Sequence, residues 1–166
     1  SRSSTYYKIR NAATARETIE AIEEYAPSSS AELPGDMFSI IVGHERVKWA
    51  FRMSLGSERP VSVLLVGPAA TAKTLFLQEL SRLPESRYIL GSASSKAGIV
   101  DYLLEYKPRY LIVDDLEKSD GRDLSSLLSL MQTGIVTRLK KNMREQVQIT
   151  TWVFAGANDT RSIPRE

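Results

Sequence analysis

Val61-Ser-Val-Leu-Leu-Val66 is a near-continuous apolar run that stops at Gly67. A strand with one wet face alternates apolar and polar residues, so a run of this kind suits a parallel strand buried on both faces. Similar short runs recur at Arg87-Tyr-Ile-Leu90, Tyr110-Leu-Ile-Val113 and Thr151-Trp-Val-Phe-Ala155. Between them lie stretches of helical period. One is predicted over 44–55, with Val47, Ala50, Phe51 and Ser54 or Leu55 on a face. Another spans 73–83, with Leu75, Phe76, Leu80 and Leu83 inward and Pro84 stopping it, and two more cover 98–106 and 122–132, the last ended by Gly134. Strands alternating with helices specify an α/β fold with a mainly parallel sheet. The alternation breaks once: Ile135–Lys140 and Gln146–Ile149 flank Lys141-Asn-Met-Arg144 in the pattern of a β-hairpin before the last strand.

The 166 residues match roughly one domain of about 100–200 residues. Residues 11–25 are rich in helix formers, with Ala15, Ile19 and Ile22 near one face, and Pro27–Gly35 is a run of breakers and small polar residues. The expected organisation is therefore an N-terminal helix and linker over 1–35 and a core over 36–166. With 22 Lys and Arg against 20 Asp and Glu, the net charge of +2 by itself demands no polyanionic partner. The absence of cysteine excludes a disulfide scaffold, a thiolate zinc site and a cysteine nucleophile. One histidine, His44, cannot form a histidine metal cluster, and it is expected only to start a helix. No apolar run is long enough for a membrane span, and residues 1–25 lack a secretory pattern, so a soluble cytoplasmic protein without membrane partners is expected. Trp49, Phe51, Phe76, Trp152 and Phe154 fall on apolar faces and are expected in the core.

Chemistry must come from carboxylates, hydroxyls, lysines and backbone. Gly67-Pro68-Ala69-Ala70-Thr71-Ala72-Lys73-Thr74 stands between a predicted strand and a predicted helix, the context that a phosphate-binding loop requires. Such a loop wraps polyphosphate in backbone N–H groups at a helix N-terminus, with the lysine on the β and γ phosphates and the hydroxyl on magnesium. The pattern G-x-x-x-x-G-K-[ST] is met except at Ala72, where the methyl group requires negative φ. Asp114 and Asp115 follow an apolar strand at its C-terminal end, where open α/β sheets gather ligands. Asp114 is the candidate to hold the ion with Thr74, and Asp115 to orient or deprotonate the attacking water. The competing reading is a turn of small residues and an acidic strand end.

Three segments together resemble the Walker A, Walker B and sensor-1 elements of the AAA+ ATPases: Gly67–Thr74, Leu111-Ile-Val-Asp-Asp115 and Trp152-Val-Phe-Ala-Gly-Ala-Asn158. Ile41-Val-Gly-His-Glu-Arg-Val-Lys48 resembles the stretch before Walker A, and the likeness covers residues 38–166. Within that superfamily the pattern is most similar to minichromosome-maintenance-like archaeal ATPases, and its hairpin also to branch-migration motors. The resemblance implies a P-loop NTPase three-layer αβα sandwich that binds ATP or ADP with Mg2+ and couples hydrolysis to remodelling a macromolecule, as a hexameric ring acting on DNA or RNA. It implies nucleotide contacts from Ile41 and Val42 at the adenine and from residues 67–75, including Leu75. It further implies catalytic roles for Lys73, Asp115 and the polar sensor Asn158.

The sequence departs from the AAA+ pattern in three places. Ala70 replaces a usual glycine and Asp115 a usual glutamate, and no arginine finger or lid fits after Asn158. Arg161 and Arg165 come too early for the finger, so a truncated core with weak hydrolysis is expected. Arg138, Lys140, Lys141 and Arg144 crowd the hairpin, with only Glu145 against them, and are candidate phosphate contacts for nucleic acid. A solvated hairpin is the alternative. The loop over 91–98 is either a pore loop or a turn. Alternative functions are a nucleotide-dependent assembly module with little hydrolysis and a small-molecule P-loop kinase.

Overall fold

The structure, a computed structural model, describes residues 33–93, 98–140, 143–159 and 161. The helix expected over 11–25 and residues 94–97 of the 91–98 loop lie outside them. The elements are α1 (Glu45–Leu55), β1 (Val63–Val66), α2 (Lys73–Leu80), β2 (Ser86–Leu90), α3 (Gly98–Tyr106) and β3 (Tyr110–Asp114). Then come α4 (Gly121–Thr133), β4 (Ile135–Lys140), β5 (Met143–Gln148) and β6 (Trp152–Ala157).

Four strands form a parallel sheet in the order β1-β6-β3-β2. The last strand in sequence thus lies between the first and the third. β3 and β6 are buried along their whole length, which is why their sequences show no alternation of polarity. Their side chains nevertheless divide by parity. Tyr110, Ile112, Trp152 and Phe154 join Phe51 and Leu55 of α1 and Phe76, Leu77 and Leu80 of α2 in one apolar cluster. Leu111, Val113, Val153 and Ala155 join Ile99 and Leu103 of α3 and Leu124, Leu127 and Leu130 of α4 in another. Helices therefore cover both faces of the sheet. β4 and β5 form a separate antiparallel hairpin, and β4 packs on α3 and α4.

Polar contacts fix the first layer. The Trp152 indole N–H donates to the Ser54 carbonyl at 2.9 Å, joining the end of α1 to β6. Glu79, buried on α2, accepts the Phe38 N–H at 2.8 Å and Arg82 at 2.9 Å, and Arg82 reaches both oxygens of Asp36 at 2.8 Å. The turn over 36–41 is thereby held against α2. Among the described residues no helix is long and apolar enough to cross a membrane.

The elements agree with the sequence reading to within three residues at each end. α2 ends at Leu80 rather than 83; β5 begins at Met143, three residues before the expected strand; and β6 runs two residues further, to Ala157. Trp49 and Leu75, expected inside, are outside, and β1, expected to be buried on both faces, is an edge strand of alternating burial with Leu64 37% and Val66 50% exposed. Trp49 is 64% exposed and Leu75 42% exposed, whereas Phe51, Phe76, Trp152 and Phe154 are buried. On α1 the inward face carries Lys48, Phe51, Ser54 and Leu55, which turns Trp49 outward. On α2 Leu77 takes the inward place given to Leu75.

Phe51 contacts the rings of Phe38, Phe76 and Phe154 at centroid separations of 5.5, 5.5 and 5.6 Å. Phe51→Ala is expected to destabilise the fold by about 3–5 kcal/mol, and Val42→Ser, at a site 92% exposed, by no more than about 0.5 kcal/mol. Urea unfolding followed by circular dichroism measures both, and equal losses would contradict this core.

Candidate functional site

The C-terminal ends of β1, β6 and β3 carry the loop over 67–72, Asn158 and Asp114. They enclose a cleft of about 450 Å³ lined by residues 69–75 with Asp114, Asp115 and Asn158. The loop is closed from below by the Gly67 N–H, which donates to the Ala157 carbonyl at 3.2 Å. Thr71 Oγ1 donates to the Pro68 carbonyl at 2.8 Å. Ala70 and Ala72 both have φ of 63°. The sequence required negative φ at Ala72, and the structure corrects that: the loop keeps a left-handed turn although the glycine is missing. A Cβ in this region costs roughly 1–2 kcal/mol, and the surrounding hydrogen bonds hold the backbone there.

Ala72 is also the N-cap of α2, with no side-chain cap and no acid in the first helical turn. The first N–H groups of a helix lack intrahelical partners and carry its positive end, so this start is left open to an anion. Lys73 Nζ donates to the Gly67 and Pro68 carbonyls at 2.8 and 2.7 Å and approaches Thr71 Oγ1 at 3.4 Å. The ammonium group is thus folded over the loop that it would share with a phosphate.

Asp114 is 6% exposed. Its Oδ2 accepts the hydroxyls of Thr74 at 2.8 Å and Tyr88 at 2.7 Å, and its Oδ1 accepts the Asp115 N–H at 3.0 Å. A Cβ at Gly156 on β6 would lie 3.2 Å from Asp114 Oδ1 and 3.0 Å from Leu77, so this position has little room for a side chain. Burial, then the hydrogen bond to Asp114, raises the Tyr88 phenol above its ordinary pKa and keeps it a proton donor.

Thr74 and Asp114 therefore present a hydroxyl and a carboxylate at one point beside the helix start. Magnesium commonly takes one or two protein oxygens and completes its shell with phosphate and water, so this donor pair fits it. Among the described residues no group of three or more His, Cys, Asp or Glu side chains is placed to cage a metal.

The second aspartate is differently disposed. Asp115 has φ of 54°, and its Oδ2 pairs with Lys118 Nζ at 2.7 Å. That hydrogen bond raises the Lys118 ammonium pKa. Asn158 Nδ2 donates to Glu117 Oε1 at 2.6 Å.

The structure brings together Ala69, Ala70, Thr71, Ala72, Lys73, Thr74, Leu75, Asp114, Asp115 and Asn158. Gly67 and Pro68 contribute carbonyls to Lys73 and do not line the cleft. Neither does the pair expected at the adenine: Ile41 is buried in the first core cluster, and Val42 is exposed. Arg138 is not an open cation. It pairs with Glu145, its cross-strand neighbour, and with Asp101 of α3 at 3.1 Å. Hydrogen bonds to Asp101, then to Glu145, raise the guanidinium pKa. Lys140 and Arg144 are placed at the hairpin end by the backbone; their side chains, and Lys141, lie outside the described residues. Sequence reasoning missed Tyr88, Glu117 and Gly156. Glu117 had a faint signal in its place two residues after Asp115, whereas Tyr88 becomes relevant only when β2 pairs with β3.

Compared with known proteins, the chain matches no family model and has no significant sequence match among curated proteins.

Ala70→Gly and Ala72→Gly are each expected to stabilise the fold by about 0.5–1 kcal/mol, because relief of left-handed strain exceeds the added chain entropy. Chemical denaturation tests this, and a loss of stability in both variants would contradict the loop conformation.

Proposed function

We propose that the chain is a magnesium-nucleotide-binding domain of AAA+ type, an ATPase core that couples hydrolysis to remodelling of a macromolecule. The observation that carries this reading is the 2.8 Å contact between Thr74 Oγ1 and Asp114 Oδ2, which unites the loop-helix start with the end of β3. Motif order alone does not require these groups to meet.

In this reading the N–H groups at the start of α2 bind phosphate oxygens, and Lys73 exchanges its loop carbonyls for the β and γ phosphates. Thr74 and Asp114 hold magnesium, which when bound offsets phosphate charge. Tyr88 donates to Asp114 and orients it. Asp115 accepts the proton of the attacking water once its carboxylate leaves Lys118, and Asn158 orients that water once released from Glu117. Ring assembly and action on DNA or RNA are the further parts of the AAA+ reading, and the run of Lys140, Lys141 and Arg144 in the sequence from the end of β4 into β5 supports them.

A nucleotide-dependent assembly module with little turnover is the second reading. It is favoured by the engagement of Asp115 with Lys118 and Asn158 with Glu117, since neither polar group is free to act on water in this conformation.

Calorimetric titration with Mg-ATP and Mg-ADP tests the shared premise. Lys73→Ala is expected to weaken binding about 10- to 100-fold, the equivalent of a lost charge-assisted hydrogen bond of roughly 1.5–3 kcal/mol. Asp115→Asn should leave affinity in place and cut ADP formation by about 10²–10⁴-fold. Unchanged affinity in the Lys73 variant would contradict the phosphate assignment, while binding without ADP formation in the parent chain would select the assembly module.

The hairpin makes a separate prediction. Replacing Lys140 and Lys141 with alanine should lower the salt slope of DNA binding by about 2, as two phosphate contacts are lost. Arg138→Ala should change that slope little, because its charge is already paired. Equal slopes for the double variant and the parent would remove nucleic acid from the proposal.

A further inference from the structure

α1 buries Phe51, Ser54 and Leu55 and turns Trp49 and Met53 outward, 64% and 54% exposed. The two are four residues apart and so neighbours on the helix surface. An outward tryptophan beside an outward methionine is an apolar patch that a polar helix face does not need. Arg46 and Arg52 lie on the same exposed side of the helix. Glu45, the acid on α1, is engaged by Lys48 at 3.0 Å. The exposed side of α1 therefore combines two apolar side chains with positive charge, and it plays no part in the nucleotide cleft.

We infer that this face is the docking site of residues 11–25 of the same chain. Three observations select that occupant. Its sequence predicts an amphipathic helix with Ala15, Ile19 and Ile22 on one face, short apolar side chains suited to lie against a tryptophan. Its charge is the complement of the α1 surface, four glutamates (Glu17, Glu20, Glu23 and Glu24) against one arginine, Arg16. Its tether is short. Leu33 packs on the core cluster that contains Phe51 and Leu55 of α1, and the eight residues from Tyr25 to Leu33 span up to about 28 Å when extended. The 11-residue α1 is about 16 Å long, shorter than that span. A tether of this length holds the segment at millimolar effective concentration, at which a modest apolar contact suffices.

The chain contains no cysteine, so an introduced pair reports without background. In the 166-residue chain, Ile22→Cys with Met53→Cys is expected to form an intramolecular disulfide under mild oxidation at least about tenfold faster than Ile22→Cys with Leu90→Cys, because docking raises one effective concentration and not the other. Equal rates for the two pairs would overturn the proposal. A link that forms only between chains, with a rate that rises with protein concentration, would assign the face to a second copy and also overturn it. Tryptophan quenching by acrylamide gives an independent reading. A segment docked more than half the time shields Trp49, so Ile19→Asp with Ile22→Asp should raise quenching of Trp49 about twofold or more. Trp152, buried in the core, serves as the folded reference in the same sample. Unchanged Trp49 quenching with Trp152 still protected would show that nothing covers the face.

Discussion

A buried carboxylate is tolerated only where donors meet it, and the fold around Asp114 is arranged by that requirement. Its strand is enclosed on both faces, so water cannot serve both oxygens. The donors come instead from three directions: Thr74 on α2, Tyr88 on β2 and the peptide of Asp115. Each fixes something beyond itself. The Thr74 contact sets the start of α2 against the end of β3, the Tyr88 contact ties the edge strand to the site, and the peptide contact bends the chain out of the strand into the turn that carries Glu117. The lack of a side chain at Gly156 belongs to the same arrangement, because a Cβ there would press on Asp114 and Leu77 together.

The loop preceding α2 meets the opposite demand. In the proposed reading its backbone must stay unsatisfied enough to receive an anion, yet stay in one conformation without it. Glycine usually resolves this by adopting positive φ without steric cost. Here two alanines adopt it, held by the Gly67–Ala157 bond below and by Lys73 and Thr71 above. The lysine therefore stabilises the empty loop with the same ammonium group that the proposed phosphate would take. Binding exchanges one set of oxygen acceptors for another, so the net gain from Lys73 is smaller than a bare ammonium-phosphate pair would suggest.

The fold was legible where periodicity and burial coincide. β3 and β6 could be read because full enclosure removes alternation, and the helix over 98–106 because its two ends are a glycine and the approach to Pro108. Trp49 and Leu75 were misplaced because a hydropathy pattern ranks side chains by type, whereas the inward arc of a helix is set by its packing partners. At α1 that arc passes through Lys48 and Ser54, and Ser54 has its own reason to be inside: its hydroxyl donates to the Val61 carbonyl at 2.5 Å, and its carbonyl receives Trp152. In the cleft, the loop, Asp114 and Asn158 were visible as strand-end residues. Tyr88 and Glu117 were not, since each acquires its place through a contact across the sheet or between loops. Neighbours in sequence say nothing of such contacts.

The hairpin shows how far a charge count falls short of a charge distribution. Four cations within seven residues read as a patch for polyanions, but antiparallel register places Glu145 directly across from Arg138, and α3 brings Asp101 to the other side of the same guanidinium. The Arg138 guanidinium is thus electrically closed within the hairpin and ties β4 to α3. Any attraction for a phosphate backbone then falls to Lys140, Lys141 and Arg144, the cations of this run that lie nearer the turn in sequence.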